Sequence, residues 1–218
     1  MKLSAGSKLV MIGDSITDCG RAQPLGESWP GSLGNGYVQL IESLLMCTYP
    51  QRRIRVVNVG SGGHTVRDLK ARWQRDVIDL SPNWLSVMIG TNDVWRQFDC
   101  PRQPEWHVYE EEYEQTYSDL LQTVRPRLDG LVLMTPFYIE PNPADPMRST
   151  MDRYGQIVRR LAEEFDAHFV DTQAAFDELL QTLPTQVLAG DRVHPFPQGH
   201  MTLAKAFLNA VGFDWRGK

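Results

Sequence analysis

Leu9-Val10-Met11-Ile12-Gly13-Asp14-Ser15 is a run of four apolar residues ending on a short polar turn. Four apolar residues in a row show no alternation, so the strand they form should be covered on both faces. Similar short runs recur at 54–58, 85–89, 131–134 and 168–170. Between them lie amphipathic stretches with helical spacing, at 37–49, 66–80, 109–124, 151–165, 172–180 and 199–211. In 37–49, Tyr37, Leu40, Ile41, Leu44 and Leu45 share a face, and 66–80 carries its charge on the outer face. Glu110, Glu111 and Glu112 open the third helix, where the helix dipole favours negative charge, and Pro126 should end it. Residues 90–107 read as a long, irregular, aromatic segment.

Strands that alternate with helices predict an open parallel sheet in a three-layer α/β/α arrangement, with helices on both faces. Right-handed crossovers then favour five strands in the order 2-1-3-4-5. In such sheets chemistry gathers beyond the carboxyl ends of the strands. Ser15, Gly63, Asn92 and Pro136 each follow a predicted strand.

At 218 residues the chain is expected to form one domain over 1–218, burying roughly 70% of its unfolded surface. The net charge of −5 argues against a nucleic-acid partner, which would want a basic stripe. Cys19, Cys47 and Cys100 have no metal-ligand spacing, and three scattered cysteines suit a reducing compartment. Met1 to Ser7 holds no apolar stretch, and no run approaches the length that crosses a bilayer. The expectation is a soluble cytoplasmic protein with no membrane partner. Its exposed Trp and Tyr suit a ligand or a homo-oligomer contact equally.

Ser15 is a poor nucleophile unless a base takes its proton. Asp191 and His194, three apart, would lie side by side on a turn, with the carboxylate holding one imidazole nitrogen and the other facing Ser15. His64, in a glycine-rich turn, is the rival base. The Gly63 amide and the Asn92 side chain are candidate donors to a developing oxyanion, together with the N–H of Ser15. Taken singly, each has a plain structural reading: Ser15 as a helix cap, 58–63 as a tight turn, Asn92 as an Asx turn. No Gly-x-Ser-x-Gly elbow is present.

The ordered set Gly13-Asp14-Ser15, Gly63, Gly90-Thr91-Asn92-Asp93 and Asp191-x-x-His194 resembles the SGNH (GDSL-type) hydrolases. The resemblance places their four named residues on Ser15, Gly63, Asn92 and His194, with Asp191 completing a triad. Residues 65–73, 88–97, 134–140, 169–176 and 191–207 look like bacterial intracellular acetylxylan esterases of that family. The resemblance implies a flavodoxin-like fold, removal of acetyl groups from xylan-derived sugars, and no cofactor or metal. Asp18, Arg21, Trp95, Arg96 and Tyr138 are candidate substrate contacts at the mouth.

Three other readings remain open on the residues. One is an esterase, thioesterase or lysophospholipase acting on another acyl substrate. Another is a metal-dependent phosphoesterase built on Asp14, Asp93, Asp191 and His64. The third is a silent sugar-binding module.

Overall fold

The computed structural model of the protein describes residues 1–27 and 29–216. Five strands, β1 (Lys8–Gly13), β2 (Arg55–Asn58), β3 (Trp84–Met88), β4 (Gly130–Met134) and β5 (His168–Val170), form one sheet in the order β2-β1-β3-β4-β5. All four pairings are parallel. β1 lies inside the sheet, with Val10 opposite Val57 on one side and Leu85 on the other. Leu9, Val10, Met11 and Ile12 are completely buried, which is why the run has no polar alternation. The expected order and class are those observed.

The helices are α1 (Ser15–Asp18), α2 (Tyr37–Thr48), α3 (Val66–Trp73), α4 (Thr91–Asp99), α5 (Glu110–Val124), α6 (Pro146–Glu164), α7 (Thr172–Leu180), α8 (Thr185–Leu188) and α9 (Pro197–Ala210). They flank the sheet in two groups. α2, α7 and α8 pack on α9, while α3 packs on α5, and α5 and α4 pack on α6. α2 buries Tyr37, Val38, Ile41 and Leu45, close to the face read from its spacing. Each aliphatic side chain fully buried in this way contributes about 1.5–3 kcal/mol. Among the described residues no helix is long and apolar enough to cross a membrane.

Several boundaries differ from the sequence reading. Residues 90–107 contain α4 and a 3₁₀ turn at Pro104–Trp106 rather than an irregular segment. The first turn of α4 buries Thr91, Asn92 and Asp93, so its inward face is polar where a helical pattern looks for apolar residues. α6 begins at Pro146 and not at 151, because Asp145 caps it by accepting the N–H groups of Met147 and Arg148. The stretch 66–80 is α-helical only to Trp73 and continues as a π turn over Gln74–Ile78. α8 lies in what reads as a loop, and α9 starts at Pro197, ahead of 199.

Candidate active site

Ser15 is the first residue of α1, directly after β1. The Asp14 side chain caps that helix by accepting the N–H of Ile16 at 3.0 Å. At the first helical position the N–H of Ser15 has no acceptor within its own helix. The turn after β2 closes on α1 from the other side. A side chain at Gly60 would meet the backbone of Asp18 at 2.2 Å, so only glycine fits there. Gly63 has φ +78°, a backbone conformation that side chains rarely adopt, and open space where a Cβ would lie.

His194 lies on the turn before α9, and its Nε2 is 2.8 Å from Ser15 Oγ. Its Nδ1 is 2.6 Å from Asp191 Oδ2. The other Asp191 oxygen, Oδ1, accepts the N–H groups of Val193 (3.0 Å) and His194 (2.8 Å). Partial burial raises the Asp191 carboxyl, but the hydrogen bonds from the His194 ring and the two backbone N–H groups outweigh it and hold it below its ordinary range. The pair is half open to water, with side-chain exposures of 46% for His194 and 44% for Asp191. Arg192, between them, is left-handed at φ +66° and pairs with Glu140 at 2.7 Å. Its carbonyl accepts the N–H of Ile139, which straps the triad turn to the segment after β4.

Asn92 lies in the first turn of α4, after β3. One amide N–H donates to the His64 carbonyl at 3.0 Å, and Oδ1 accepts from Arg96 at 3.4 Å. These two bonds fix which end of the amide is the donor. The second N–H has no partner among the described residues.

Ser15, Gly63, Asn92 and the Asp191–His194 pair thus surround one edge of the sheet, supplied by three strand ends and one late turn. The profile of the GDSL-like lipase/acylhydrolase family matches residues 11–201. The chain belongs to that family. It is 58% identical over 215 residues to an acetylxylan esterase from Geobacillus stearothermophilus, covering 99% of this chain and 98% of that one. The crystal structure of that esterase superposes with a TM-score of 0.97. LAE5, an alpha/beta hydrolase from the metagenome of Lake Arreo in Spain, is 50% identical with a TM-score of 0.96, covering 98% of each chain.

The other candidates of this GDSL-like chain fall in different places. His64 makes no bond to Ser15. Its Nδ1 is buried without a partner among the described residues, and burial followed by the nearby Arg72 charge lowers its affinity for a proton. His107, His168 and His200 bond to Cys100, Lys2 and Tyr37 respectively, away from Ser15. Trp95 sits beside the imidazole, 5.7 Å between ring centres, and Arg96 lies over Trp95 at 5.4 Å. Asp18 accepts the N–H of Gly62 at 3.2 Å and so helps shape the Gly63 turn. Tyr138 donates its backbone N–H to Gln173 and lies next to the Ile139–Arg192 strap. Arg21 is turned inward: its guanidinium donates to the carbonyls of Gly60, Ala22 and Pro24, so it is not presented to a substrate. Among the described residues no three His, Cys, Asp or Glu side chains gather as a metal-ligand set, and Asp14, Asp93, Asp191 and His64 do not converge.

Two buried groups escape a reading of the sequence. Arg72 donates to Gly13, at the end of β1, at 2.8 Å, to Val59 after β2, and to Asp76 at 2.9 Å. It braces the nucleophile turn from beneath, although its place on a charged helix suggests the outer face. Asp93 is 0% exposed. Burial raises it to about 7 against the opposing Val66 N–H, with the Asp14 and Asp68 charges adding to the rise. Burial likewise raises Asp14 to about 6, against the Ile16 N–H and the His194 and Arg72 charges.

Both acids bind their protons more tightly folded than unfolded, where they titrate near 3.8. The stability they contribute is therefore complete below about pH 4 and is lost as pH rises through about 6–7. Asp93→Asn cannot ionise. Its melting temperature should fall less between about pH 5 and about pH 8 than that of the natural protein, as differential scanning calorimetry would record.

Proposed function

We propose that the chain is a serine carboxylic ester hydrolase that removes O-acetyl groups from acetylated xylo-oligosaccharides or related sugars. The observation that carries this reading is the 2.8 Å contact between Ser15 Oγ and His194 Nε2, with Asp191 on the far side of the ring. Solved structures of the Geobacillus esterase include catalytic mutants with alanine in place of its serine 15, aspartate 191 and histidine 194. The same numbers carry Ser, Asp and His here.

His194 Nε2 takes the hydroxyl proton as Ser15 Oγ bonds to the ester carbonyl carbon. The carbonyl oxygen becomes an oxyanion, held by the N–H groups of Ser15 and Gly63 and by the Asn92 amide. The intermediate collapses, the bond to the sugar oxygen breaks, and His194 returns the proton to that oxygen. Water, deprotonated by the same imidazole, attacks the acetyl-Ser15 ester and releases acetate. Asp191 keeps the Nδ1 proton in place and stabilises the imidazolium.

Trp95 beside the imidazole supplies a flat face with a polar edge, suited to a sugar ring at the alcohol side. Cys19, Cys47 and Cys100 are all free thiols, in keeping with a cytoplasmic, reducing location. The test is acetate release from acetylated xylo-oligosaccharides, together with rates on nitrophenyl acetate and nitrophenyl octanoate. Acetate release and a preference for the acetyl ester are expected. A strong preference for octanoyl, with acetylated sugar untouched, would move the chain to the thioesterase or lysophospholipase reading.

A further inference from the structure

The two oxyanion donors outside the nucleophile turn belong to separate pieces of backbone. Gly63 is on the turn between β2 and α3, and Asn92 is on the first turn of α4. The sheet relates them only indirectly, because β2 and β3 do not pair with each other: β1 lies between them, and both donors lie beyond the paired residues. Two side chains, adjacent in sequence, bridge the gap. Asn92 donates to the His64 carbonyl at 3.0 Å, and Asp93 Oδ1 accepts the N–H of Val66 at 3.0 Å. The first link is made by a group that must itself answer the developing charge. The second lies wholly beneath the site.

Asp93 is an expensive way to make one hydrogen bond. It is completely buried, its Oδ2 has no partner among the described residues, and no Arg or Lys hydrogen-bonds to it. A buried carboxyl so poorly satisfied destabilises a fold on its own. Its one bond, however, joins the start of α3 to the start of α4, two and three residues beyond the paired His64 and Gly63.

We infer that Asp93 is a positioning residue: its bond to the Val66 N–H clasps the Gly63 turn to Asn92 and so sets the spacing of the oxyanion donors. The inference rests on the ester-hydrolase reading above. Loosening the clasp leaves the nucleophile, the base and the substrate face intact. It weakens binding of the transition state more than binding of the ester, so the loss falls on kcat and not on KM. Misplacement of a supporting group by about 1 Å is enough to cost about 10²-fold.

The clasp can be cut from either end. Asp93→Ala removes the acceptor. Val66→Pro removes the donor at a position whose backbone accommodates proline, with a ring close to valine in size for its buried site: Val66 is the first residue of α3, and Thr65 before it is already extended at φ −101°, ψ 179°. Asp93→Asn keeps the acceptor and matches the shape of the protonated acid. With the full chain and nitrophenyl acetate, Asp93→Ala and Val66→Pro should each lower kcat about 10²-fold at nearly unchanged KM. Asp93→Asn should recover most of that loss.

A folded Asp93→Ala with natural kcat overturns the inference, as does a loss carried by KM or an equal loss in Asp93→Asn. If Asp93→Ala does not fold, Val66→Pro decides in the same terms. Ser15→Ala is measured alongside. Retained activity there sinks the serine-hydrolase reading itself, whereas a silent Ser15→Ala beside an unimpaired Asp93→Ala sinks only the clasp.

Discussion

Ser15→Ala should lower kcat on nitrophenyl acetate by about 10⁴- to 10⁶-fold and leave the fold untouched. The substitution deletes one atom, the Oγ that lies 2.8 Å from His194 Nε2. It does not remove the structure around that atom. The cap of α1 comes from Asp14, so its hydrogen bond to Ile16 survives. Alanine is a good first-turn residue, and the melting temperature should stay within about 2 °C. The N–H groups of residue 15 and Gly63 and the Asn92 amide also survive. They leave a residual acceleration over water of about 10³-fold. A fluorophosphonate probe should label the natural protein at Ser15 and leave Ser15→Ala unlabelled by mass spectrometry. Labelling elsewhere, or activity within about tenfold of natural, would remove Ser15 from the role of nucleophile.

The parts of this molecule that were legible in its sequence are those where burial is apolar. Leu9 to Ile12 could be read as a two-faced strand because hydrophobic burial leaves its pattern directly in residue type. The same holds for the buried face of α2. The turn residues were legible for a second reason: only glycine suits the approach at Gly60 and the positive φ at Gly63. What escaped is polar burial. Residues 90–107 read as irregular because Thr91, Asn92 and Asp93, at the start of α4, are buried polar residues. The charged pattern of 66–80 points Arg72 outward, although backbone carbonyls of two strand ends hold it inside. Arg21, a candidate for the mouth on residue type, lies instead among three carbonyls. Hydrogen bonds to backbone carbonyls reward a donor wherever the chain brings one, and nothing in the spacing of residues announces where that is. The pairing of Ser15 with His194 across 179 residues could be argued only from chemistry, because no local pattern encodes it.

Asp191→Asn should be at least as damaging as Asp191→Ala, with kcat down by about 10⁴-fold, although Asn is the closer match in shape. The reason lies in how the two carboxylate oxygens are used. Oδ1 accepts two backbone N–H groups, from Val193 and His194, while Oδ2 faces His194 Nδ1 at 2.6 Å. An asparagine must put its oxygen on the two N–H donors, since its NH₂ cannot accept from them. The NH₂ is then left facing His194 Nδ1. To accept from it, Nδ1 must give up its proton, and the ring takes the tautomer with hydrogen on Nε2. That is the nitrogen that must receive the Ser15 proton, so the base is occupied before the reaction starts. Asp191→Ala removes the preference without reversing it. Because the pair is half exposed, water can meet Nδ1 and return part of the correct tautomer. Steady-state kinetics on nitrophenyl acetate, with nitrogen-15 NMR of the His194 ring, would separate the cases. Asp191→Asn should place the proton on Nε2, and Asp191→Ala should show a mixture. An Asp191→Asn variant more active than Asp191→Ala, with its proton on Nδ1, would mean that the turn holds the imidazole by some means other than this carboxylate.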